Sequence, residues 1–169
     1  LRKQKDIDWN RLRSLAERAC RRGIAVASHD DDTREAVDEG IGMGVTVSEF
    51  PLNLETARYA KERGLSVCVG APNVVRGGSH DRNMRAGDAI AAGVADVLCS
   101  DYYPSALLAA VFKAAGQVGL ARAAAMASLN PAAAVGLADR LGSIAEGKRA
   151  DLILVQTEND YPIVRKTWV

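Results

Sequence analysis

Hydrophobic positions along this chain alternate between two rhythms. Residues 8–22 place Trp9, Leu12, Leu15, Ala16 and Ala19 at three- and four-residue intervals, which predicts an amphipathic helix with a basic outer face, ended by Gly23. A short apolar run, 24–28, then stops on His29-Asp30-Asp31-Asp32-Thr33, and 33–39 reads as a helix closed by Gly40. The same unit recurs. Strand 45–47 ends on Ser48-Glu49-Phe50-Pro51 and is followed by helix 53–63 with Gly64 as its C-cap. Strand 65–69 ends on Gly70-Ala71-Pro72-Asn73, with a longer loop over 74–80 and a short helix over 86–92. Strand 97–99 runs to Asp101, and Pro104 opens the next helix.

Four consecutive strand-helix units, each with a polar residue or a glycine at the strand's C-terminal end, predict a parallel sheet with right-handed crossovers and hence an α/β fold. Residues 104–118 and 120–128 read as alanine-rich helices that pack closely, and Asn130-Pro131 restarts another with an N-cap and a proline at its first position. The pattern then changes. Residues 141–155 are turn-rich and run into a strand, 163–169 read as a second, and the lack of a helix between them predicts a small β element outside the parallel sheet.

Composition narrows the class. A chain of 169 residues with formal net charge +1 suits one ordinary domain with a sizeable core. Its scattered Lys and Arg and few aromatics form no basic stripe, so nucleic acid is not an expected partner. The longest apolar stretches are interrupted by Lys113 and Arg122, so no membrane partner is expected. Cys20, Cys68 and Cys99 are odd in number, and two lie in apolar strands, which reads as reduced thiols in a cytoplasmic protein. The first residues lead into a charged segment with no apolar leader, and the absence of an initial methionine suggests that something upstream has been removed.

The polar residues at the strand ends are the candidate chemistry. In parallel α/β folds the C-terminal ends of the strands collect ligands, since the loops there vary over a rigid sheet. Asp101 is either such a group or a helix-entry acid, and His29 is either a ligand or a satisfied structural residue. Asp30, Asp31 and Asp32 read as a solvated helix entry with Asp32 near the N-cap. Arg76-Gly77-Gly78-Ser79-His80 is either a flexible turn or an anion loop, in which glycine amides approach phosphate oxygens and Arg, Ser and His add donors.

The segment from Gly142 to Val155, Gly-Ser-Ile-Ala-Glu-Gly-Lys-Arg-Ala-Asp-Leu-Ile-Leu-Val, resembles the C-terminal signature of the amidohydrolase superfamily. Together with Ser28-His29-Asp30, Ser48 to Pro51, Gly70 to Asn73, Arg76 to His80 and Ser100 to Pro104, it is similar to the PhnM branch, the phosphonate-metabolism diphosphohydrolases of the carbon-phosphorus lyase pathway. The resemblance implies the C-terminal half of a (β/α)8 barrel, strands five to eight, over residues 1–140, with strands of a composite β-sandwich over 141–169. It implies hydrolysis of α-D-ribose 1-methylphosphonate 5-triphosphate, a phosphorylated sugar phosphonate, to the 5-phosphate and diphosphate, with one or two divalent ions, zinc the expected one.

Carried over, His29 is a metal ligand, Asp101 ligates metal and takes the proton of the attacking water, and Arg76, Gly77, Gly78, Ser79 and His80 bind the polyphosphate. Glu49 stands where many superfamily members place a second histidine, so it enters as an oxygen ligand or as a group that holds a ligand. With only four strand-helix units the chain is expected to be half an enzyme, inactive alone and dependent on another copy or on an N-terminal half. The alternatives are an amidohydrolase acting on cyclic amides and a non-catalytic flavodoxin-like module with an acidic pocket at Asp30, Asp31 and Asp101.

Overall fold

The computed structural model describes residues 7–78 and 83–169. Helix α1 (Trp9–Arg21) leads into β1 (Val26–His29), α2 (Arg34–Gly42), β2 (Val45–Glu49), α3 (Leu54–Glu62) and β3 (Ser66–Gly70). There follow α4 (Ala71–Arg76), α5 (Ala86–Ala91), β4 (Val97–Cys99), α6 (Ala106–Val118), α7 (Leu120–Ala127) and α8 (Leu129–Ala134), and the strands β5 (Leu152–Glu158) and β6 (Tyr161–Trp168) close the chain. The first four strands are all parallel and lie in the order β1-β2-β3-β4, with β1 and β4 as the two edges. Sequential order without a switch point is the arrangement of a barrel wall and not of a doubly wound sheet, so the fold is α/β, a partial barrel.

Local chemistry sets the helix starts. Asp8, Thr33 and Asn53 are N-caps whose side chains accept from the amides of Arg11, Ala36 and Thr56, at 3.0, 3.2 and 2.8 Å. The cap of α2 is therefore Thr33, one residue beyond Asp32. Residues 71–76 form a helix where the sequence suggested the chain had already entered a loop at Val74. Pro72 occupies the first turn, where a missing amide costs nothing, and Gly77 at φ 75 supplies the left-handed C-cap. Asn130 is not the cap expected of it: α8 begins after Ser128, and the Asn130 side-chain NH2 donates to the Asp96 carbonyl at 2.7 Å.

The core lies between the sheet and the helices that follow its strands. Val67 and Val69 of β3 and Leu98 of β4 are buried with Ala57 and Ala60 of α3, Ile90 of α5, Ala110 and Ala114 of α6, and Ala123 and Met126 of α7. Alanine at the helix contacts allows close approach, so a thin apolar layer suffices. Helix α1 contributes no buried residue, and Trp9, Leu12 and Leu15 stay exposed on it. At the N-terminal ends of the strands, Lys61 holds Asp96 at 2.5 Å while the other Asp96 oxygen accepts from the Val67 amide at 3.1 Å.

Strands β5 and β6 form an antiparallel hairpin in a sheet of their own, turned at Asn159 and Asp160, both at positive φ (49° and 63°) as a type I′ turn requires. This separate β element counts against the flavodoxin-like module. Gly142, which opens the C-terminal signature, sits at φ +85, and a Cβ there would lie 2.7 Å from the Ser128 carbonyl oxygen and 2.8 Å from the Leu129 Cα. Only glycine fits that crossing. Among the described residues no helix is long and apolar enough to cross a membrane.

Candidate metal and phosphate site at the strand ends

Parallel pairing aligns the C-terminal ends of the strands into one rim. His29 pairs with Glu49 across the β1–β2 ladder, Glu49 with Cys68 across β2–β3, and Gly70 with Cys99 across β3–β4. Beyond the strands the ladder continues for one bond each: the Asp30 amide donates to the Glu49 carbonyl and the Phe50 amide to the Cys68 carbonyl, both at 3.0 Å. Asp30, Phe50 and Asp101 all take left-handed backbone conformations, with φ of 61°, 55° and 51°. Each turns the chain sharply off its strand at the rim.

His29 is oriented from both sides. Its Nδ1 lies 3.2 Å from Asp30 Oδ2 and its Nε2 lies 4.0 Å from Glu49 Oε2, while the ring meets Phe50 edge-on at 5.3 Å between centroids. The imidazole thus has a carboxylate oxygen near each of its nitrogens, and carboxylates so placed can orient a metal-binding imidazole. An imidazole nitrogen beside a carboxylate oxygen is a donor set that suits zinc and similar divalent ions.

Asp31 behaves differently from its neighbours. It is buried, and its Oδ2 accepts from the hydroxyls of Ser28 at 2.6 Å and Ser48 at 2.5 Å, while its carbonyl accepts from the Leu52 amide at 2.9 Å. Asp30 and Asp32 are exposed as a solvated helix entry requires, and Asp31 alone departs from that reading. Asp30 orients His29, Asp31 ties β1 to β2 beneath the rim, and the Asp32 carbonyl accepts from Asn53 and Thr56. Ser28 and Ser48, each one residue before a rim residue, were the available signal for a carboxylate folding back between two strands.

Asp101 and Arg76 line a common cleft of ≈ 170 Å³ with Asp30, Asn73, Asn83 and Tyr102. Carboxylates and a guanidinium therefore share one opening above the strand ends. Gly77 donates its amide to the carbonyls of Asn73 and Val74 as part of the α4 cap, so of the two glycine amides expected to meet phosphate, that of Gly77 is already engaged. Ser79 and His80 lie outside the described residues.

Among the described residues one set of donors draws together closely, and of its members sequence reasoning singled out Glu49 but neither Cys68 nor Cys99. Glu49, Cys68 and Cys99 bring their ligand atoms within 4.8 Å of one another, in a cluster that does not include His29 or Asp101. The Cys68 thiol donates to Cys99, which raises its pKa; burial and the nearby charges of Cys99, Glu49 and Asp101 add to the effect. The Cys99 thiol is held below its ordinary value, first by that hydrogen bond and then by the Asp101 backbone N–H, against the opposing effect of burial. A period-two reading carried the hint, since Cys68 lies two residues before Gly70 and so shares its face of β3.

Residues 12–169 match the family described as "Amidohydrolase family". The chain is 42% identical over 159 residues to the alpha-D-ribose 1-methylphosphonate 5-triphosphate diphosphatase of Escherichia coli (strain K12), covering 92% of this chain and 42% of that protein. Among solved structures, an amidohydrolase from Thermotoga maritima MSB8 superposes with a TM-score of 0.66 at 21% identity, over 85% of this chain and 41% of that one. A Xaa-Pro dipeptidase with bound methionine in the active site gives 0.63 at 21% identity, over 86% and 42%. The chain thus spans less than half the length of the relatives it matches. The two structures share its fold, and from the family match over nearly all of its length, this chain belongs to the amidohydrolase family.

Proposed function

We propose that this chain carries part of the catalytic rim of a phosphonate-metabolism hydrolase, one that splits α-D-ribose 1-methylphosphonate 5-triphosphate into the 5-phosphate and diphosphate. The observation that carries this reading is the 42% identity to the E. coli diphosphatase across 92% of the chain. In this reading residues 1–140 are barrel and 141–169 belong to the accompanying β-sandwich. His29, Glu49 and Asp101 would hold a divalent ion, with zinc proposed from the imidazole and carboxylate donors.

When bound, such an ion lowers the pKa of its water toward neutrality and offsets phosphoryl charge. The chain's own residues supply the rest. Asp30, 3.2 Å from His29 Nδ1, helps to orient the ring, and Asp101 receives at its carboxylate the proton of the attacking water. Arg76, which lines the same cleft as Asp101, binds the non-bridging oxygens of the polyphosphate, with the Gly78 amide, Ser79 and His80 completing the anion loop. Gly77 serves by its left-handed turn, which directs the chain into that loop.

A graft tests the proposal. This chain, substituted for the matching segment of the E. coli diphosphatase, should release diphosphate from the ribose 1-methylphosphonate 5-triphosphate in a metal-dependent way, followed by phosphorus NMR. Asp101→Asn in the graft should lower kcat by about 10²–10⁴. A folded, metal-loaded graft that leaves the triphosphate intact would show that the rim serves other chemistry. The same assay with the chain alone, and with the E. coli N-terminal segment added in trans, distinguishes assembly with a second copy from completion by further barrel strands.

A further inference from the structure

We propose that Glu49, Cys68 and Cys99 form a binding site for a thiophilic divalent cation, Zn²⁺ or Co²⁺, adjoining the His29 and Asp101 positions on the rim and sharing Glu49 with the ligand set proposed above. The three donors come from three adjacent strands: Glu49 ends β2, Cys68 lies within β3 and Cys99 ends β4. Their ligand atoms all lie within 4.8 Å of one another. A tetrahedral ion bound at about 2.3 Å to sulfur and about 2.0–2.2 Å to oxygen needs ligand-to-ligand edges of about 3.4–3.8 Å. Rotamer adjustments of roughly 1 Å therefore close the site without moving a strand, and donors mounted on strands hold such a geometry better than donors on loops.

The chemistry of the set is specific. Two sulfur donors select Zn²⁺, Co²⁺ or Cd²⁺ over Mg²⁺ and Ca²⁺, which prefer oxygen shells. Cys68 is buried, and Cys99 is half-buried and accepts from the Asp101 backbone N–H. Ion binding expels up to two thiol protons to solvent and leaves two thiolates and one carboxylate around the cation, a net charge of −1 on the complex, with the fourth position open to water. The proposal does not depend on phosphonate chemistry and stands or falls by metal binding alone.

The test is a Co²⁺ titration of the chain under a non-thiol reductant. Expected is a near-ultraviolet thiolate-to-cobalt charge-transfer band that saturates at one ion per chain, is displaced by Zn²⁺ and is untouched by millimolar Mg²⁺. Cys99→Ser and Cys68→Ser, each checked for native circular dichroism, should abolish the band, and Glu49→Gln should weaken cobalt affinity at least tenfold. Cys20→Ser and His29→Ala should retain it. If the buried Cys68→Ser does not fold, Cys99→Ser and Glu49→Gln decide the matter. A missing band, or one that survives Cys99→Ser and vanishes with Cys20→Ser, overturns the proposal.

Discussion

At the rim, neighbouring residues of like chemistry do unlike work. Asp30, Asp31 and Asp32 are consecutive carboxylates, yet one orients an imidazole, one is buried under two serine hydroxyls, and one lends its carbonyl to the next loop. Arg76 lines the same cleft as Asp101, so Arg76→Ala in the E. coli graft should raise KM by about 10- to 100-fold while kcat changes little, because a charge-assisted contact to substrate is lost and the metal ligands remain. Steady-state kinetics on the triphosphate check it. Cys99 offers a second measurement. Its thiol lies below the ordinary value first because Cys68 donates to it, so Cys68→Ala removes a donor that favours the thiolate and should move the alkylation profile of Cys99 to higher pH. Peptide mass spectrometry after timed iodoacetamide treatment reads this directly, with the exposed Cys20 as internal reference.

Elements, unlike single contacts, were largely legible beforehand. The strands read at 45–47, 65–69 and 97–99 lie where β2, β3 and β4 are found, because short buried runs bounded by glycine leave little choice of conformation. What the residue pattern missed came from tertiary partners. Asn130 looks like a cap in isolation, but it lies inside the helix after Ser128 and its side-chain NH2 donates to the Asp96 carbonyl, and 74–76 look like loop until Gly77 is seen to cap a helix begun at Ala71. Asp31 illustrates the same limit, since one of its donors, Ser28, is three residues away but the other, Ser48, is 17 away and reaches it only once the two strands pair. Its contacts pin the β1 and β2 ends together, and Asp31→Ala should destabilise the chain by about 1–3 kcal/mol by stranding the fully buried Ser48 hydroxyl. Urea denaturation followed by circular dichroism measures that loss, and Asp30→Ala, at an exposed position, should cost far less.

At the scale of the molecule, among the described residues the four-stranded sheet has β1 and β4 as unpaired edges, and α1 leaves Trp9, Leu12 and Leu15 exposed beside the β1 edge. Open strand edges and uncovered apolar faces drive association. The isolated chain should therefore show concentration-dependent self-association in sedimentation velocity, and Leu12→Lys with Leu15→Lys should shift it toward monomer. The left-handed residues at the rim carry a different consequence. Asp30, Phe50 and Asp101 each hold a conformation that costs an L-amino acid about 1 kcal/mol and costs glycine nothing. The chain keeps two carboxylates and an aromatic ring where heat resistance alone would favour glycine. Laboratory evolution for thermostability, run without any requirement for turnover, should thus settle glycine at Asp30 and Asp101 early, and such variants would be robust proteins with an emptied rim.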